Sequence, residues 1–343
     1  MYFMFKPQYH ITPYLLNLVD EASALREWIN NTHLKLSWLP IMQKESKVRQ
    51  AHFSTSIEGN PLSLSQVKAV ARGEKINTPQ KYEKEIHNYI SAVKYIQANH
   101  NALIDETQVL KLHKILMKDL LEEAKCGVYK QKQNYVINEN GIRVFIPPSP
   151  KNTPQMVGEL FNWLNSNDAK ELHCVLVCSI IHHRLVSIHP FSDGNGRIAR
   201  LIATWVLYQR EFDTNHIFSL DEFFAGDRQR YYMKLQQARE LDDNLSSWIE
   251  YVAEGIVFTL KNAKKRIEEL QVSIQSNLTL TPKQEELLRI LRDDAPLMAN
   301  ELTKKMHVTR ARINQLISPL VLEGIVEKKG LSKATRYAIK WKN

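Results

Sequence analysis

Cysteine is scarce, and three residues in a chain of 343 do not make a disulfide framework. Cys174 and Cys178 stand four apart in an apolar stretch that reads as helix core, so a reducing cytoplasm is the expected setting. Long apolar runs are missing too. The longest, Cys174 to Ile181, is broken by Ser179, and Met1 to His10 holds no basic segment leading into an apolar one. Neither secretion nor a membrane span is expected. Glycine (11) and proline (13) are too few for a fibrous or disordered chain, and no internal repeat or low-complexity tract is present. What remains is a chain with 43% apolar and 24% charged residues, long enough for two or three folded domains.

The formal charge is +9, and it is unevenly placed. From Thr281 to Asn343 there are 13 Lys or Arg against 7 Asp or Glu, so a small basic domain ends the chain. Such a bias fits an anionic partner, most simply nucleic acid, and equally fits a solvated surface.

Apolar residues recur at helical spacing through most of Tyr14 to Gln97, and the body is predicted to be mainly α. One exception lies at 134–148, where Tyr135-Val136-Ile137 and Ile142 to Ile146 flank Asn138-Glu139-Asn140-Gly141, a turn-forming tetrad. An isolated β-hairpin is expected, stopped by Pro147, Pro148 and Pro150. A long helical stretch, Leu245 to Gln275, then runs to Ser276–Pro282, where the main boundary is expected.

The most informative stretch is Ile188-His189-Pro190-Phe191-Ser192-Asp193-Gly194-Asn195-Gly196-Arg197, followed by Ile198, Ala199 and Arg200. Pro190 ends one helix, while Ile198, Leu201, Ile202 and Trp205 start another at i, i+3, i+4 and i+7. The loop therefore opens onto a helix N-terminus. Glycines on both sides of Asn195 let backbone N–H groups approach an anion, and the helix dipole adds positive charge. Arg197 and Arg200 fall on neighbouring helical positions where both can clamp phosphate oxygens. Asp193 offers a hard oxygen of the kind Mg²⁺ takes beside a nucleotide, and His189 can accept a hydroxyl proton. Any one of these residues alone reads as a helix cap or a satisfied core histidine; seven within twelve residues do not.

The stretch His189 to Arg200 resembles the Fic family motif, His-Pro-Phe-x-Asp/Glu-Gly-Asn-Gly-Arg-x-x-Arg, at every fixed position. The resemblance covers roughly Ile11 to Leu260. It implies a Fic-type helical bundle with a β-hairpin flap, and transfer of AMP from ATP to a protein hydroxyl. His189 would be the base, Asp193 the Mg²⁺ ligand, the Gly194-Asn195-Gly196 backbone the anion hole, and Arg197 and Arg200 the β- and γ-phosphate ligands. Related toxins that phosphorylate their targets carry lysine where this chain has Gly196, which favours nucleotidyl transfer. The 134–148 flap would hold an extended segment of the target by strand addition. Arg230-Tyr231-Tyr232 resembles a family segment near the nucleotide, although paired tyrosines also suit core packing.

Ser54-Thr55-Ser56-Ile57-Glu58-Gly59 resembles the family's inhibitory motif, Ser/Thr-x-x-x-Glu-Gly/Asn. A short helix near 49–60 is expected, ending at Gly59, with Ser54 and Glu58 on one face; the resemblance implies that Glu58 pairs with Arg200. The expected layout is an N-terminal helical region at 1–100, a catalytic core at 101–275 and a domain at 281–343 that resembles a winged helix-turn-helix. In the last, helices are predicted at Lys283–Arg292, at Ala299–Lys305 and from Thr309, with two strands around Lys328-Lys329-Gly330. Arg310, Arg312, Asn314 and Gln315 would meet DNA bases, and Lys328, Lys329, Lys333 and Arg336 would form the wing, unless the domain docks protein instead. An autoinhibited adenylyltransferase, acting on a target or on itself, is the leading expectation. A nucleotide-sensing transcriptional regulator and an AMP-removing enzyme are the alternatives, and a homodimer is compatible with all three.

Overall fold

The computed structural model describes residues 5–32, 39–137, 141–213, 215–272, 280–294, 296–322, 324–330 and 335–339. The fold is mainly helical with a small two-stranded antiparallel sheet, as predicted. Two units, residues 1–264 and 265–343, each form their own contacts.

The first unit opens with α1 (Pro13–Asn31), whose N-cap Thr12 accepts the Leu15 N–H and whose first residue is a proline that would lack a partner there anyway. Next come α2 (Leu39–Ile57), α3 (Leu64–Ala71), α4 (Gln80–Ala98) and α5 (Glu106–Leu116). Strands β1 (Val136–Ile137) and β2 (Arg143–Phe145) follow, pairing Val136 with Phe145 and Ile137 with Arg143. The paired strands are shorter than the predicted 134–148 span, and Pro147 and Pro148, which cannot donate to a ladder, lie just beyond the end of β2. Its predicted turn residues Asn138, Glu139 and Asn140 lie outside the described residues.

Then come α6 (Thr153–Leu164), α7 (Asn167–Glu171), α8 (Cys174–Ile188), α9 (Asn195–Gln209), α10 (Asp221–Gly226), α11 (Arg228–Glu240) and α12 (Ser246–Val272). Every residue of α8 except Arg184 is buried, so this helix is the axis of the unit and shows no polar face. It packs chiefly against α9, and Trp248 of α12 donates its indole N–H to the Ser179 carbonyl at 2.8 Å. Cys126, Cys174 and Cys178 are buried free thiols. Among the described residues no helix is long and apolar enough to cross a membrane.

Three expectations need correction. The helix bearing the Ser54–Glu58 motif is not short: α2 begins at Leu39, and Glu58 lies in the turn just beyond its last residue. The sequence hides its length because Ser46, Gln50, Ser54 and Thr55 are buried on its inner face, so polar residues interrupt the apolar period. The predicted 1–100 region does not stand apart either, since α2 packs on α9 and α10 and α4 packs on α9 within the same unit. Finally, the units divide between Lys264 and Lys265, inside α12 and upstream of the expected 276–282 boundary, of which 276–279 lie outside the described residues. A continuous helix carries no punctuation where contacts change hands.

The second unit contains α13 (Pro282–Asp294), β3 (Leu297–Met298), α14 (Ala299–Met306), α15 (Arg310–Leu322), β4 (Val326–Lys329) and β5 (Arg336–Ile339). Its antiparallel sheet has the order β3-β5-β4. Leu287, Leu291, Leu302, Met306, Ile313, Leu316 and Leu320 form one apolar cluster beneath it. The two-residue β3 was not foreseen. Arg310, Arg312, Asn314 and Gln315 are exposed on α15, as are Lys328 and Lys329 on β4, while Lys333 lies outside the described residues. Arg336 is partly buried and donates to the Pro296 carbonyl at 3.0 Å.

Candidate active site

The loop between α8 and α9 is held by its own side chains. His189 caps α8 in the left-handed region, φ 52°, and Pro190 has no N–H with which to continue the helix. Asn195, first residue of α9, accepts the Phe191 N–H at 2.8 Å and donates to the Phe191 carbonyl at 2.9 Å. Its side chain is thus a clasp on the loop, which leaves only its backbone for the expected anion. Gly194 has φ 81°, and a Cβ there would press on Met117 Sδ at 2.8 Å.

His189 Nδ1 lies 3.1 Å from the Val186 carbonyl oxygen. A carbonyl can only accept, so Nδ1 carries the proton and Nε2 keeps its lone pair. Burial, aided by the charges of Lys130 and Arg239 and opposed by the Val186 bond, lowers the imidazole pKa to about 4. The ring is neutral near pH 7, as a general base must be.

Arg200 is 2% exposed and has four kinds of partner. Its Nε meets Ser54 Oγ at 2.8 Å, and its Nη2 meets the Ser54 carbonyl at 2.9 Å and Glu58 Oε1 at 2.8 Å. Asp221 Oδ1, itself buried, lies 3.1 Å from Nε, and the Tyr231 hydroxyl lies 3.5 Å from Nη1. Ser54 and Glu58, one helical turn apart, therefore meet Arg200 together. A Cβ on Gly196 would overlap the Glu58 carboxylate, so that carboxylate sits directly over the glycine-rich N-terminus of α9. Burial works to raise the Glu58 pKa, but the charges of Arg200 and Arg197 and the Arg200 hydrogen bond overcome it and hold the group below its ordinary value.

Arg197 is buried, and its Nη2 approaches Asp193 Oδ1 at 3.3 Å. The same Oδ1 accepts the Gly194 N–H at 2.6 Å, while the Asp193 side chain remains 58% exposed. Tyr231 is fully buried, bonded to His182 Nε2 at 3.0 Å, and Tyr232 is more exposed, donating to the Ile57 carbonyl at 3.3 Å. Glu58, His189, Gly196, Arg200, both tyrosines and the hairpin residues Tyr135 to Ile137 line one cavity of about 570 Å³, a volume suited to a nucleotide-sized ligand.

Four supporting residues escaped the sequence reading because nothing local marks them. His113 of α5 stacks on Phe191 at 3.8 Å, accepts the Gly127 N–H at 2.8 Å through Nδ1 and donates from Nε2 to the Asp193 carbonyl at 3.1 Å. Asp221 backs Arg200. Lys130 and Asn134 bond the loop carbonyls from the foot of the hairpin. Each lies at least 21 residues away in sequence from the loop residue it serves.

Residues 103–207 match the Fic/DOC family. A protein adenylyltransferase Fic of Aedes aegypti is 29% identical over 256 residues, covering 73% of this chain and 48% of that protein. The chain spans about half the length of the curated relatives it matches. Among solved structures, a Fic family protein from Desulfovibrio desulfuricans superposes with a TM-score of 0.71 at 21% identity, over 99% of both chains. A Fic domain containing signaling protein from Bacteroides thetaiotaomicron gives 0.62 at 25% identity, over 74% of this chain and 96% of that one. A left-handed histidine, Gly196 in the first turn of α9 and the buried Arg200 line one cavity, and residues 103–207, which hold the histidine and Arg200, are similar to the Fic/DOC domain.

Proposed function

We propose that this protein is an adenylyltransferase held in check by its own Glu58, acting in the cytoplasm on the hydroxyl of a protein side chain. One observation carries the reading: a neutral imidazole whose Nε2 keeps its lone pair shares a cavity with Gly196 in the first turn of α9 and a buried arginine. The attacking hydroxyl oxygen bonds to the α-phosphorus of ATP, its proton passes to His189 Nε2, and pyrophosphate leaves. Backbone N–H groups of Asn195 and Gly196 stabilise the charge that develops on the phosphate oxygens, and Arg197 and Arg200 orient the β- and γ-phosphates.

Asp193 fits a magnesium ion, because its hydrogen bonds use Oδ1 alone and the carboxylate is half exposed. When bound with the nucleotide, that ion would neutralise phosphate charge. Glu58 now holds the guanidinium that the γ-phosphate needs, which supports the inhibitory role. The exposed apolar hairpin residues Ile137, Ile142 and Ile146 support target docking by strand addition. In the second unit the helix order, the β3-β5-β4 sheet and the exposed Arg310 and Arg312 support a winged helix that contacts duplex DNA.

The test is transfer of label from α-labelled ATP by the Glu58→Gly chain, with His189→Ala as control. Binding of ATP without transfer would replace the enzyme with a nucleotide sensor.

A further inference from the structure

Lys130 is 5% exposed, and both acceptors of its ammonium are neutral oxygens: Asn134 Oδ1 at 2.9 Å and the Ile188 carbonyl at 3.3 Å. A lysine drawn out of water to meet no anion is held there at a cost, and such groups concentrate where function needs them. Asn134, oriented by that ammonium, donates through Nδ2 to the His189 carbonyl at 3.3 Å and to the Phe191 carbonyl at 2.8 Å. The Lys130 backbone N–H takes the Pro190 carbonyl at 2.8 Å. Two side chains and one backbone group thus bind four consecutive carbonyls, Ile188 to Phe191, through the residue whose imidazole accepts the proton.

The geometry also runs the other way. Asn134 is followed at once by Tyr135, Val136 and Ile137, which line the cavity and begin the hairpin. His189 occupies a backbone region that a non-glycine residue keeps only where its surroundings over-determine it, and these bonds are a large part of that determination.

We propose that Lys130 and Asn134 are a positioning pair that fixes the His189 backbone against the root of the hairpin, so that base and docked target hydroxyl share one frame. Neither touches the reacting atoms. The inference rests on the adenylyltransferase reading, and it makes the lysine the part that orients Asn134 while adding a positive charge near the imidazole. That charge works in the direction already described for His189, towards the neutral ring.

The experiment uses the full chain carrying Glu58→Gly, with Lys130→Met, Lys130→Arg and Asn134→Ala added singly. Transfer from α-labelled ATP is measured as kcat and as KM for ATP, and the His189 ring is titrated by NMR in each protein. For Lys130→Met and Asn134→Ala the expectation is a fall in kcat of about ten- to hundredfold, with KM for ATP within about twofold, because misplacing a reacting group by an ångström has effects of that size. Lys130→Met should also move the His189 titration upward, and Lys130→Arg should restore most of kcat and the titration. An unchanged kcat and an unchanged His189 titration in Lys130→Met would overturn the proposal. A raised KM with normal kcat would overturn it as well. If Lys130→Met lowers the unfolding temperature so far that it cannot be assayed, Asn134→Ala decides the matter by the same kcat criterion. Should the parent chain bind ATP yet transfer nothing, the adenylyltransferase reading fails, while the NMR titration still reports whether Lys130 sets the state of His189.

Discussion

Replacing Glu58 by glycine should release the enzyme, and the structure gives the scale. The carboxylate makes one charged hydrogen bond to Arg200 at 2.8 Å, from a position 30% exposed. A hydrogen bond to a charged group contributes about 1.5–3 kcal/mol, and every ~1.4 kcal/mol is tenfold, so freeing Arg200 for phosphate should raise transfer about ten- to hundredfold. Stripping one partner from a buried ion pair usually destabilises strongly, but Arg200 keeps Asp221 at 3.1 Å and both oxygens of Ser54. Stability should therefore change much less than rate. Glu58→Asp, one methylene shorter, should release only part of the activity. The double variant with Arg200→Ala should match Arg200→Ala alone, because the phosphate ligand is then gone whatever the brake does. The assay is single-turnover transfer from α-labelled ATP beside calorimetric ATP binding. Unchanged transfer in a Glu58→Gly preparation that binds ATP would refute the reasoning.

His189→Ala should bind ATP normally and lose transfer by about 10²–10⁴-fold, measured with the same label. Acid should not activate the wild type: the Glu58 pKa is depressed, so its charge and the stability it adds are fully present above the ordinary carboxylate range and fade only below it, where His189, at about 4, also protonates. A pH-rate profile flat from 6 to 8 and falling toward 4, without an acid maximum, is the expected result. Gly196→Ala should lower the unfolding temperature in the wild type by crowding the Glu58 carboxylate, and lower it less beside Glu58→Gly, a non-additivity that thermal melts can read. Arg310→Ala with Arg312→Ala should weaken duplex DNA binding by the full chain and flatten its salt dependence, by fluorescence anisotropy across salt concentrations.

The legible part of this protein was its contiguous chemistry. His189 to Arg200 could be read as loop and helix N-terminus because Pro190, Gly194 and Gly196 punctuate the chain locally, and Ser54 with Glu58 because one helical turn separates them. The supports were not legible. His113, Lys130, Asn134 and Asp221 act through backbone carbonyls or a side chain far away in sequence, and one sequence carries no signal for such meetings. The true extent of α2 was masked for a related reason. Its inner face is polar because Ser46 and Gln50 bond the Phe218 carbonyl and Ser54 bonds Arg200, so burial there does not look apolar.

That polar inner face has a consequence for time. Gln43 reaches the Asn215 carbonyl, Ser46 and Gln50 share the carbonyl of Phe218, and Arg49 is paired with Glu222, so the length of α2 is fastened to the segment leading into α10. Moving the helix would break all of these bonds at once. Glu58 lies beyond the last fastening, in the turn before Gly59, and can leave Arg200 by rotating its own side chain. Rotating one side chain out of an ion pair moves far fewer atoms than displacing a packed helix, which takes microseconds or longer. On the proposed inhibitory reading, release then needs no movement of α2, and a partner or modification need only change how often Glu58 is away from Arg200.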